Sequence, residues 1–72
     1  MKDNKFGNYL NLRLELRRVG VTQEQVADHL GMSTSNLVNK LSGKTPFTVA
    51  EIVDIRDTFT PDATLDYLTT TS

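Results

Sequence analysis

No cysteine occurs among the 72 residues, which excludes disulfide staples and thiolate metal sites. Tryptophan is absent, and histidine appears once, as His29. It directly follows Asp28, but neighbours along a helix point in different directions, so the two do not form a dyad. With no glycine-rich phosphate loop and no convincing further metal ligands, neither catalysis nor a cofactor is expected. Apolar runs extend only a few residues, too short for a membrane span or for the apolar segment of a secretory leader. No internal repeat or low-complexity core is found. A chain of this length makes one small domain, near the size at which a single core is only marginally sufficient.

An excess of positive charge is missing as well: the formal net charge is −1. Its distribution is uneven. Residues 1–47 hold seven lysines and arginines against four carboxylates, net +3, while residues 48–72 hold one arginine against five carboxylates, net −4. A mildly basic front is thus followed by an acidic back, which can orient the protein on DNA or dock a basic partner.

What is present is concentrated in residues 22–41, TQEQVADHLGMSTSNLVNKL. Thr22 stands three residues before Gln25, a capping box, with Val21 and Val26 as its hydrophobic staple. Ser33 suits a second N-cap, with Met32 and Leu37 as staple. Gly31 falls between them, where a chain leaving a helix often turns left-handed. Val26, Ala27 and Leu30, then Leu37, Val38 and Leu41, recur at helical spacing. The small Ala27 lets two helices cross closely. Two short helices set steeply about a glycine-containing turn describe a helix-turn-helix.

This string resembles the helix-turn-helix of the Cro/repressor (XRE-like) family of temperate phages and their bacterial relatives. The matching residues are Thr22–Gln23, Val26–Ala27, Leu30–Gly31, Ser33, Leu37, Leu41 and Ser42–Gly43, with looser likeness from about Phe6 to Phe59. The resemblance implies an all-α, five-helix, lambda-repressor-like DNA-binding domain occupying residues 1–72, its core at about 6–68 and its motif at 22–41. It also implies a cytoplasmic site of action in a bacterial host.

Taken in order, residues 1–5 are polar and expected to fray. Leucines at 10, 12, 14 and 16 alternate as in a half-buried strand, but Asn, Arg and Glu between them are not strand formers. A helix from about Phe6 to Val19, stopped at Gly20, is the better reading. Tyr9, Leu12, Leu16 and Val19 then form one stripe, and Leu10 and Leu14 a second on nearly the opposite side. A C-terminal helix is expected to cover this second row; the alternative is that the row meets a partner. Residues 42–46 are a loop. Thr48 and Glu51 form a capping box for a fourth helix ending near Thr58, with Phe47 and Ile52 as staple and Val49, Ile52, Val53, Ile55 and Phe59 on its apolar face. Thr60–Pro61 suggests a cap and first position for a short fifth helix carrying Ala63, Leu65, Tyr67 and Leu68, before a polar tail from Thr69. The expected core is Leu12, Leu16, Val26, Ala27, Leu30, Leu37, Leu41, Phe47, Ile52, Ile55 and Phe59.

In a helix-turn-helix the second helix enters the major groove and its first residues meet base edges. Those positions are Ser33, Thr34, Ser35 and Asn36, with Asn39 one turn on; asparagines suit adenine edges. Ser33, Thr34 and Asn36 also satisfy what helix starts ask of capping residues. The resemblance implies a phosphate contact for Gln23, and Lys40 and Lys44 are placed to reach phosphates. Thr34 departs from the glutamine common in relatives, and no arginine occurs on this helix. The leading expectation is a regulator in a lysis–lysogeny switch that binds double-stranded operator DNA as a weak dimer. The alternative is an antirepressor, similar to modulator-of-repression proteins, that seizes the DNA-binding domain of the cognate phage repressor; Glu24, Asp28, Asp54 and Asp57 are its candidate contact carboxylates.

Overall fold

A computed structural model describes residues 7–70. Five helices and no strand are found among them: α1 Leu10–Arg18, α2 Gln23–Leu30, α3 Thr34–Ser42, α4 Val49–Phe59 and α5 Leu65–Thr69. The architecture is all-α.

Local chemistry sets three helix starts where expected. At α2, Gln25 N–H donates to the Thr22 hydroxyl (3.1 Å) while Thr22 N–H donates to the Gln25 side chain (2.9 Å). At α4, Thr48 and Glu51 make the same reciprocal pair at 3.1 and 3.0 Å. At α3 the Ser33 hydroxyl accepts from Asn36 N–H at 3.1 Å. Each such cap satisfies orphan donors and contributes about 1 kcal/mol. Gly31 ends α2 at φ +72°, with Met32 N–H returning to Ala27 O (3.0 Å) and Gly31 N–H to Asp28 O (3.2 Å). This pairing of two carbonyls needs a left-handed residue, which glycine adopts without a Cβ penalty.

Both terminal helices begin later than the sequence suggests. Tyr9 is non-helical (ψ 63°), and its N–H donates to Leu41 O at 3.0 Å, so α1 starts at Leu10. The expected start at Phe6 and the frayed residues 1–5 lie outside the described residues. Thr60 does not cap α5. Ala63 N–H donates to Thr60 O (3.0 Å), closing a turn with Pro61 at its second position, a placement proline favours. Thr64 caps α5 instead, its hydroxyl accepting from Tyr67 N–H at 3.1 Å. Thr69, expected in the tail, is the last residue of α5.

The core comprises Leu12, Leu16, Val26, Ala27, Leu37, Leu41, Ile52, Ile55 and Leu68. Leu68 is an unforeseen member. Leu30, Phe47 and Phe59 pack only partly, at its margin, and Val19 is exposed beyond the end of α1. Val49, assigned to the buried face of α4, is 78% exposed because it sits at the first turn, directed away from the core. The expectation that α5 covers Leu10 and Leu14 fails. The fifth helix packs on the Leu12/Leu16 side of α1, where Leu68 is buried and Asn11 Nδ2 donates to Tyr67 O (3.0 Å), leaving Leu10 and Leu14 at 44% and 47% exposure. No helix of the described residues is long and apolar enough to cross a membrane.

Candidate functional site

The pair α2 and α3, joined by residues 31–33, carries most of the candidate residues. Leu37 and Leu41 anchor α3 from below, each burial contributing about 1.5–3 kcal/mol. With that side fixed, Thr34, Ser35, Asn36 and Val38 project outward. Ser33 is exposed but committed to its cap, so only what remains of its hydroxyl can serve a ligand. Asn39 is half-buried, and its backbone oxygen accepts from Lys44 N–H (2.9 Å), Thr45 N–H (3.3 Å) and the Ser42 hydroxyl (3.2 Å), which shapes the loop leaving α3. Gln23 opens α2, half-buried. Lys44 stands exposed at the loop.

Lys40 is not where the phosphate reading needs it. Its ammonium donates to Glu51 Oε1 (3.0 Å) and Pro46 O (3.1 Å) and lies 5.8 Å from the Phe47 ring centre. With 18% side-chain exposure, Lys40 fastens the loop and the start of α4 to α3. Burial pushes the Glu51 carboxyl up, but Thr48 N–H and the Lys40 ammonium outweigh it and hold the carboxyl below its ordinary value. Stabilisation from Glu51 is therefore complete above its unfolded value and is lost as pH falls through the lowered folded value. Glu51→Gln is expected to flatten the acid limb of a urea-midpoint-against-pH curve; an unchanged acid limb would show the pair to be inert.

The candidate carboxylates do not form one cluster of unoccupied groups. Glu24 and Asp28 are exposed one turn apart on α2. Asp54 instead receives His29 Nε2 (3.0 Å) and the Thr58 hydroxyl (3.3 Å), and this hydrogen bonding lowers its pKa. Sequence reasoning missed this α2–α4 tie, which the edge-on contact of His29 with Phe59 extends (5.4 Å). No local signal links residues that far apart in the chain. Asp57 pairs with Arg56 at 2.8 Å. Among the described residues no group of three His, Asp or Glu can hold a metal ion.

The family model of the BetR domain matches residues 9–71, nearly the whole chain. The chain belongs to the BetR domain family. In this BetR domain the match takes in all five helices, from the Tyr9 entry to α1 through the end of α5. No curated protein and no solved structure matches it.

Proposed function

We propose that this BetR domain is a lambda-repressor-like helix-turn-helix regulator that binds operator DNA in the lysis–lysogeny switch of a temperate phage. The observation that carries the reading is the outer side of α3. It is polar and solvent-facing at its first turn, while the Ser33 cap and the buried Leu37 and Leu41 hold the helix rigidly from beneath. A helix so presented suits the major groove, with Thr34, Ser35 and Asn36 toward base edges and Asn39 a turn further along. Gln23 and Lys44 flank it for phosphates. The protein acts in the bacterial cytoplasm, as a weak dimer on paired half-sites.

Asn36→Ala is expected to relax discrimination at particular base pairs by about 1–3 kcal/mol. Lys44→Ala is expected to weaken all duplexes alike and to reduce the salt slope by about 1. Titration of both variants against selected and random duplexes at several salt concentrations separates the two effects. Equal losses on both duplexes for Asn36→Ala would remove it from base reading.

One observation favours a second reading. With Lys40 turned inward and Val38 43% exposed, the outer side of α3 is neutral and partly apolar. Such a surface suits a protein as well as a polyanion. An antirepressor would use it against the basic DNA-binding face of a phage repressor, with exposed Glu24, Asp28 and Asp57 speeding encounter. Glu24→Lys and Asp28→Lys would then slow repressor capture at low salt, and unaltered association would exclude this mode.

A further inference from the structure

The uncovered leucine row lies on α1, outside the α3 residues assigned to base edges, and is part of a larger feature. Leu10, Arg13, Leu14 and Arg17 follow one another at i, i+3, i+4 and i+7, the spacing of one continuous helix face. Leu10, Leu14 and both arginines are exposed. Beside this face the chain leaves α1 and enters α2, and residues 20–23 make the opposite wall of a groove of about 690 Å³ with Leu16 among its lining. Arg18 is held by Glu15, but Arg13 and Arg17 enter no ion pair among the described residues. An apolar strip with two cations one helical turn apart is thus presented at an open groove.

We propose that this groove docks an acidic amphipathic helix of a partner protein. The partner's apolar residues at i and i+4 would lie along Leu10 and Leu14, and carboxylates one turn apart would face Arg13 and Arg17. Charge opposes the simplest alternative, an antiparallel pair with a second copy of this chain. Pairing α1 antiparallel about a two-fold axis sets each flank against its own equivalent, arginine against arginine. An acidic helix buries the same leucines and neutralises both cations. Gln23, assigned above to a phosphate, also lines this groove, but no α3 residue does, so the proposal does not depend on what α3 binds.

The probe is a synthetic lactam-bridged helix with leucines at i, i+4 and i+7 and glutamates on both flanks, titrated into the full chain by NMR and calorimetry. Amide shifts confined to α1 and residues 20–23 are expected. Binding should weaken about tenfold or more in Leu14→Asn and in Arg13→Glu/Arg17→Glu, each variant keeping the parent thermal midpoint because these side chains are exposed. No binding at millimolar peptide would overturn the proposal. So would equal binding of the same peptide with lysines for glutamates, or shifts centred on α3. A Leu14-dependent dimer in sedimentation would assign the groove to a second copy instead, and Leu14-dependent binding to phosphatidylglycerol vesicles would assign it to a membrane surface.

Discussion

Ala27→Leu is expected to lower the stability of the domain by about 1–3 kcal/mol. Ala27 is 2% exposed, on the side of α2 that shares the core with Leu37 and Leu41 of α3. Its own carbonyl accepts the Met32 N–H that closes the turn between the two helices. Three added carbons have no space there, and relief requires α2 to move from α3 or the closing bond to break. A domain of this size has roughly 4–10 kcal/mol to lose, so the thermal midpoint should fall by many degrees. Because the displacement falls on α3, binding by its outer surface should weaken more than the unfolded fraction accounts for. A midpoint within error of the parent would show that Ala27 does not sit at the crossing.

Leu68→Ala is expected to cost still more, about 2–5 kcal/mol, since it combines lost burial with a cavity. Leu68 is fully buried although it belongs to a helix of five residues. A helix that short is not stable alone, so its order derives from docking. Its other ties are the partly buried Leu65, the Thr64 cap and the bond from Asn11 Nδ2 to Tyr67 O, the last two at exposed positions. Removing the leucine should release α5 and expose Leu12 and Leu16 on α1. Amide exchange should then show lost protection in residues 65–69 first. Retained protection with an unchanged denaturation midpoint would contradict the placement of Leu68 in the core.

Features written in neighbouring residues were legible in the sequence. The caps at Thr22, Ser33 and Thr48 and the turn at Gly31 each depend on residues within one helical turn, and each lies where the pattern put it. The chain ends were less legible because two local rules compete there. Thr60–Pro61 can begin a helix or a turn, and the turn forms, with Thr64 taking over the cap. Tertiary contacts were not legible. Lys40 reads as a surface cation until Glu51 and Pro46 O surround it, and Asp54 reads as an open carboxylate until α4 brings it to His29. Exposure of Thr34, Ser35 and Asn36 was thus legible from helical periodicity, whereas the engagement of the Lys40 ammonium was not. Lys40→Met should accordingly weaken folding rather than salt-dependent binding, which a comparison of urea midpoints with DNA titrations would resolve.

The proposed role of α3 is tested most directly by selection of the purified protein, without any other protein, against a random duplex library. The selected duplex is then titrated by mobility shift with the parent chain and Asn36→Ala. Enrichment of a defined half-site, bound by the parent and no longer discriminated by Asn36→Ala, is the expected result. Failure to enrich any sequence, with duplex retained only when a phage repressor is also present, would contradict operator binding and leave α3 to a protein partner.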